Sequence, residues 1–529
     1  MASTLRIRRS LEALQVDYDA GNKKALEDLM RAWKGIKELP ADDPHSFFRI
    51  GGFHGEPFRG GGWGNSSYWG GYCNHGNILF PTWHRVYLVK LEEALRSIRG
   101  CEDVSMAYWD ETSDDSLKNG IPWALTRKEF VLDGETIANP LRSFVFNKAI
   151  VDNINGDDPN YGKPLGYETV RYPLSGLVGT VQDRANTQKH NAQFPDYNQN
   201  VQFLNQNIVN WLSSYVVIDG KTVPTNVAAK FSACLDAPNY TVFSNTTSAA
   251  QWNDDLASGA AHIVPLESPH NSIHLAVGGY DVPGGPNAGD FAPIPGANGD
   301  MGENDTAGLD PIFFFHHCFI DRMFWLWQKR HGFTDKLDVI EGYPGTNSID
   351  SQGPTPGTVP NSWLTMTSPL DPFKLVENGK ERSYLSLDCI NIEKQLGFTY
   401  GPGSLEEAPK ALASAPDRSA KMLRVSGLNR APIRGSFVVS AYADIDGKKQ
   451  LIGREAVLSR WSVQYCANCQ THLEVKAFFS LHAFSADEVE QARIHVEVRT
   501  RDGVLGQTQL IAAGAALGVH KKLFRVDVR

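Results

Sequence analysis

Seven of the chain's 15 histidines fall in two windows, residues 54–84 and 270–317. The windows cover 79 of 529 residues, where an even spread would place about two histidines. His270 and His274, four apart in HNSIH, would differ by only ~40° around a helix turning ~100° per residue, and so address one object. His316 and His317 fall in an apolar run, and a buried helix does not accept adjacent imidazoles without compensation. Any one of these rings can be a core or surface histidine with a backbone partner; the clustering weakens that reading. Six imidazoles, three from each half, with no matching cysteine group, point to a metal pair. Neutral imidazole without thiolate or several carboxylates suits copper or zinc rather than magnesium or calcium. A zinc protease helix would read HExxH, whereas position 271 is Asn.

The motifs around these residues resemble the type 3 copper proteins, the family of tyrosinases (polyphenol oxidases), catechol oxidases and molluscan-type haemocyanins. The resemblance rests on His54, YCNHG (72–76), FPTWHR (80–85), YWD (108–110), LESPHNSIH (266–274) and DPIFFFHHCFIDRMFWLWQ (310–328), in family order over roughly residues 40–400. It implies two copper ions, one held by His54, His75 and His84 and the other by His270, His274 and His317, with His316 a neighbour. It implies O2 as co-substrate and phenolic small molecules as substrates. Monophenols would be hydroxylated to o-diphenols and these oxidised to o-quinones, as in melanin biosynthesis. A catechol oxidase confined to the second step is the alternative within the class. A haemocyanin-like O2 carrier is the alternative outside it, and a single copy of the motif set favours an enzyme.

Each part of that chemistry asks for particular residues. Two copper ions can give one electron each to O2 without releasing a radical, and three neutral nitrogens per ion leave open positions. Acceptors for the free ring N–H groups are expected nearby. Asp321, one turn beyond His317, is the candidate, against an alternative pairing with Arg322 or Arg330. Phe313, at i−4 from His317, resembles the aromatic that props a ligand in this family, with core packing an equal reading. Cys73 matches the C-x-H pattern of members whose cysteine sulfur is bonded to the histidine ring, here His75; an inert thiol is the alternative. Glu267 and Asn271 flank His270, and the resemblance implies that they hold a water that takes the phenol proton. A base is needed because a phenolic hydroxyl titrates near ~10. The residue types alone also allow a first-turn helix acid and a polar helix face. Cys466-x-x-Cys469 resembles the C-x-x-C proposed to collect copper in some members, against a redox pair, half a zinc site or buried thiols. Long members lay a C-terminal residue over the copper pocket and stay latent; Trp461 and Tyr465 lie in the segment concerned.

The elements that must position these residues are partly periodic. Helical spacing marks residues 26–36, 80–98 after Pro81, 201–215 and 311–331, the last apolar nearly all round. The stretches 51–72 and 278–306 read as long functional loops. Residues 401–421 are rich in Pro, Ala and Ser, as a linker would be. Beyond them, alternating runs at 437–442, 473–477, 494–498 and 524–528 predict an antiparallel β-sandwich. The expected architecture is a mainly α copper domain, a four-helix core with long loops, over 1–400, then a linker and a β-sandwich-like C-terminal domain over 422–529. A net charge of −9 and a pI near 5.9 argue against nucleic-acid or anionic-membrane partners. No run of ~20 apolar residues offers a membrane span. The seven cysteines do not form a disulfide framework for a chain this long. The N-terminus shows no signal h-region, and a cytoplasmic location is expected. No feature specifies an oligomeric state.

Overall fold

The structure, a computed structural model, describes residues 5–529 other than 56–71, 153–160, 177–180, 219–220, 258–259, 261, 280–295, 348–361, 408–420, 446–447, 462, 464–471, 482–483, 485, 502, 512–514 and 518–522. Among the described residues, seven helices build the frame around the histidines: α1 (Lys24–Glu38), α2 (Phe47–Gly55), α3 (Phe80–Arg96), α4 (Tyr197–Ser213), α5 (Thr246–Asp255), α6 (Glu267–Gly278) and α7 (Ile312–His331). Helix α3 packs on α1, α2 and α7, and α6 packs on α4 and α7. The expected helices thus appear within a few residues of their sequence bounds. α2 was not expected, because FFRIGGFHG is short and carries glycines that read as loop.

Local sequence explains the helix ends. Pro81 occupies the first turn of α3, where its missing N–H costs nothing. The α7 helix ends at Gly332 with φ +73°, a left-handed cap that an L side chain resists. Between these ends, residues 312–328 of α7 are all buried, His316, His317, Asp321 and Arg322 included.

The buried charges of α7 form a shared network. Asp321 accepts from Arg85 Nε at 2.5 Å, from the Tyr400 hydroxyl at 2.6 Å and from Arg8 Nη1 at 3.5 Å. Arg8 also meets Glu92, at 3.2 and 3.3 Å. The network ties α3 and α7 to a short parallel pair, β1 (Arg6–Arg8) with β2 (Phe398–Tyr400). It also corrects the sequence reading: Asp321 faces these cations and neither orients His317 nor pairs with Arg322 or Arg330.

The C-terminal part has its own core, including Leu423, Phe437, Val439, Phe479, Ile494 and Val496, between two antiparallel sheets. One sheet orders β6 (Glu474–Ser480), β3 (Met422–Asn429) and β10 (Arg525–Val528). The other orders β5 (Lys448–Val457), β4 (Phe437–Ile445), β7 (Arg493–Thr500), β8 (Gly503–Ile511) and β9 (Ala515–Leu517). Residues 401–407, read as the start of a linker, are bound to the helical part: Ser404 N–H donates to Asp110 at 2.8 Å, and Arg322 donates to Ser404 O at 2.8 Å.

Replacing Asp321 by Ala leaves Arg85 and Arg8 buried without that carboxylate, and breaking such a pair costs about 3–5 kcal/mol. Chemical denaturation of the Asp321→Ala protein is expected to show a loss of this size. A loss below about 1 kcal/mol would show that the network carries little of the stability.

Candidate metal centre

Six of the histidines meet in the helical core. His54 closes α2, His84 opens α3, His270 and His274 lie on one face of α6, and His317 lies on α7; His75 sits on the segment before α3. The rings of His54, His75 and His84 are mutually 5.1–5.6 Å apart, and those of His270, His274 and His317 are 4.5–5.5 Å apart. His84 stacks on His317 across the two groups, at 4.4 Å.

Hydrogen bonds fix which nitrogen carries the proton in four of the rings. A carbonyl only accepts, so His54 Nδ1–H donates to Asn304 O (3.0 Å), His84 Nδ1–H to Phe80 O (2.8 Å) and His274 Nδ1–H to Met301 O (2.9 Å). His270 Nδ1–H donates to Asn271 Oδ1 at 2.9 Å. The Nε2 lone pairs of these rings are left to face inward. Nε2 of His54 and His84 are buried with no hydrogen-bond partner among the described residues. His317 Nε2 lies 3.1 Å from His270 Nε2 and 3.3 Å from His274 Nε2. Three nitrogens at about 2.0 Å from one ion in tetrahedral geometry would be separated by about 3.3 Å, so this donor set fits a metal ion.

His317 is oriented differently. Its Nδ1 has no hydrogen-bond partner among the described residues. The ring is instead clamped between Phe313, at 4.0 Å and 27°, and His84. The sequence offered Asp321 as a candidate orienting carboxylate and Phe313 as a propping aromatic, and the ring stacks on Phe313.

His316 Nδ1 lies 2.5 Å from Glu111 Oε1, while its ring is within reach of the second group. Glu111 directly follows the YWD motif and was not singled out in the sequence, although that motif pointed to it. Burial pushes the Glu111 pKa well up. Burial also drives the pKa of all seven rings down, to about 3 for His84 and about 4 for His274. The rings are therefore neutral and ready to bind metal at ordinary pH.

The other expected site residues lie beside the histidines. Cys73 is buried, with its sulfur within 4.8 Å of ring nitrogens of His54 and His75. Both Glu267 oxygens are engaged: Oε1 accepts from Gly76 N at 2.8 Å, and Oε2 from Thr246 N at 2.8 Å and its hydroxyl at 3.0 Å. Burial raises the Glu267 pKa and these donors oppose it. Asn271 orients His270. Cys466, Cys469 and Tyr465 lie outside the described residues.

The sandwich stands over this centre. Strand β5 packs on α6, and Arg460 pairs with Asp305 and donates to Gly55 O at 3.0 Å. A chamber of about 250 Å³ separates the two parts, with Cys73, His75, Glu267 and Asn271 on one side and Arg430, Val457, Leu458 and His472 on the other. Trp461 does not line it; its ring lies under Arg501, at 3.6 Å. His472 packs on Gly76, where φ is +67° and a Cβ would come within 2.9 Å of the imidazole.

The profile of the common central domain of tyrosinase matches residues 44–330. The chain belongs to the tyrosinase family. It is 54% identical to tyrosinase HcTyr2 of Hahella sp. (strain CCB-MM4), over 94% of this chain and 92% of that one. It is 47% identical to a tyrosinase of Aspergillus oryzae, over 92% of each. The structure of tyrosinase from Burkholderia thailandensis at low pH matches it with a TM-score of 0.84 and 52% identity, covering 99% of this chain and 100% of that one. Holo-protyrosinase from Aspergillus oryzae shares the fold at 19% identity, with a TM-score of 0.65 over 99% of this chain and 95% of that one. Tyrosinases are binuclear copper enzymes, and the buried histidine clusters of this chain are positioned to bind metal ions.

A ring that titrates lower in the folded than in the unfolded chain makes the unfolded chain hold more protons in between. The contribution of these rings to the stability of the metal-free protein is therefore present above about pH 6.5 and lost as pH falls toward the lowered values of about 4 and 3 for His274 and His84. NMR titration of the imidazoles in chelator-treated protein reads this directly; core rings that protonate near pH 6.5 would contradict burial in the neutral form.

Proposed function

We propose that this tyrosinase hydroxylates monophenols to o-diphenols and oxidises these to o-quinones with O2, and that His54, His75 and His84 hold one copper while His270, His274 and His317 hold the other. The observation that carries the assignment is the tautomer pattern: backbone carbonyls and Asn271 take the Nδ1 protons of four of these rings, leaving Nε2 lone pairs inward. His316 shows the same arrangement, with Nδ1 at Glu111 and Nε2 buried, so its place as a neighbour and not a ligand rests on the family resemblance. When bound, the copper pair supplies the two electrons that O2 reduction requires.

The chain's own residues position substrate and move its proton. Phe313 and His84 hold the His317 plane, and Asn271 holds that of His270. Glu267 accepts three protein hydrogen bonds, and a carboxylate offers about four acceptor sites, so one remains for a water on the chamber side. That water would take the phenol proton and Glu267 would stabilise the charge it acquires. The chamber roof supports the reading that the C-terminal domain limits access and keeps the enzyme latent. Copper handling by Cys466 and Cys469 rests on the sequence motif, with His472 three residues beyond Cys469 and seated beside the His75 segment.

The full-length, copper-loaded protein is expected to hold two copper ions per chain and to darken both a monophenol and a catechol. Darkening of catechol alone would reduce the function to a catechol oxidase, and darkening of neither would favour an oxygen carrier. Glu267→Gln should slow the monophenol reaction about 100-fold, the lower end of what a positioned base contributes. Cys73 and His75 are proposed to be joined by a thioether, formed by loss of the thiol hydrogen and a ring hydrogen to the copper and O2 chemistry of the site. The peptide containing both is expected to weigh two hydrogens less than its sequence, and the unmodified mass would remove the bond.

A further inference from the structure

The Cys73 sulfur lies within 4.8 Å of ring nitrogens of both His54 and His75. Two fates compete there: the sulfur becomes a copper ligand as thiolate, or it bonds to a carbon of the His75 ring. The loop that carries both residues is pinned through its backbone, with Tyr72 N–H donating to Phe53 O at 3.2 Å and Gly76 N–H to Glu267 at 2.8 Å. Those bonds leave the Cys73 side chain free to choose among staggered positions about χ1.

Two side chains make that choice. Asn304 Nδ2 donates to the sulfur at 3.5 Å, and the Arg460 guanidinium, from the C-terminal domain, faces the same atom. Among the described residues, the sulfur is the one atom to which the Asn304 side chain bonds; its Oδ1 is buried without a hydrogen bond. The Asn304 backbone is fixed on both sides. Its O accepts from His54 Nδ1–H at 3.0 Å, and its N–H donates to Ser459 O at 3.3 Å. One residue thus holds the sulfur with its side chain and the His54 ring with its carbonyl, which keeps the two in register. Arg460 is in turn held by Asp305 and Gly55 O. An S–H does not point at a donor, so both groups turn the thiol hydrogen away from themselves.

We propose that Asn304 and Arg460 are positioning residues for the cross-link between Cys73 and His75, so that the C-terminal domain takes part in finishing the metal centre it covers. The inference rests on the thioether reading. In the step, a bond forms between Sγ and a carbon of the His75 ring while the S–H and that C–H bond break. O2, the co-substrate of the copper centre, takes the two electrons and two protons as H2O2. No phenol takes part, so the covered, latent chain carries it out.

To test this, cuprous copper is loaded into full-length protein without air, O2 is admitted, and the mass of the peptide holding Cys73 and His75 is followed in time. The rate is expressed per copper-loaded chain, so that weakened loading does not register. The parent peptide should become two hydrogens lighter. Asn304→Ala should slow this severalfold and Arg460→Met about tenfold or more, as for loss of a neutral and of a charged hydrogen bond, while Arg460→Lys restores part of the rate. Ser436→Ala removes another contact between the same two parts, from Ser436 Oγ to Gly302 O at 2.7 Å, and should cross-link at the parental rate. A parental rate in either Asn304→Ala or Arg460→Met, or equal slowing by Ser436→Ala, overturns the positioning role. A parent that keeps its full mass removes the thioether itself, whereas a parent that cross-links no faster than the variants removes only the role given to Asn304 and Arg460.

Discussion

The structure depends on keeping a group of neutral imidazoles buried with their lone pairs facing one another. Such rings cannot solve the problem by protonation, because burial, reinforced by mutual repulsion, holds their pKa values far below the ordinary range. The fold answers by committing the outward nitrogens. The carbonyls of Phe80, Met301 and Asn304 each take one Nδ1 proton, so irregular backbone around residues 301–304 is as much a part of the site as the helices. A metal ion can then take up the inward lone pairs that remain.

Rigid helices are needed to hold that arrangement, and their registration is set by charge as well as by packing. Asp321 joins Arg85 of α3 to its own helix α7, so the two helices are locked directly beside His84 and one turn beyond His317. The stacked pair His84 and His317 spans the two histidine groups at the level that this lock controls. A carboxylate four residues from a ligand thus positions the site through helix register, without touching a ring.

The frame was legible in the sequence where one rule decided it. Helices α3 and α7 follow from apolar periodicity and Pro81, and the shared direction of His270 and His274 follows from their spacing. The division of six histidines into two ligand sets came from the family resemblance, since spacing cannot say which distant segments meet. The partners of the rings were hidden for the same reason. Asp321 and Arg322 are neighbours in sequence but face different parts of the core. Asn271 orients His270 through a contact between adjacent residues that helix geometry alone does not foretell.

The two parts of the chain are held together by interactions of unequal kind. At the periphery, Asp254 on α5 receives Arg424 at 2.5 and 3.0 Å and Lys476 at 2.7 Å, with Arg529 close by. These side chains are partly exposed, so salt screens them and each contributes modestly. Near the centre, Leu458 and Trp461 belong to the same apolar cluster as the helices, and Arg460 and Asp305 are buried as a pair. Separating that pair would leave two desolvated charges to be rehydrated. Resistance to opening therefore concentrates beside His54 and the chamber, and the ring of surface charges sets orientation more than strength.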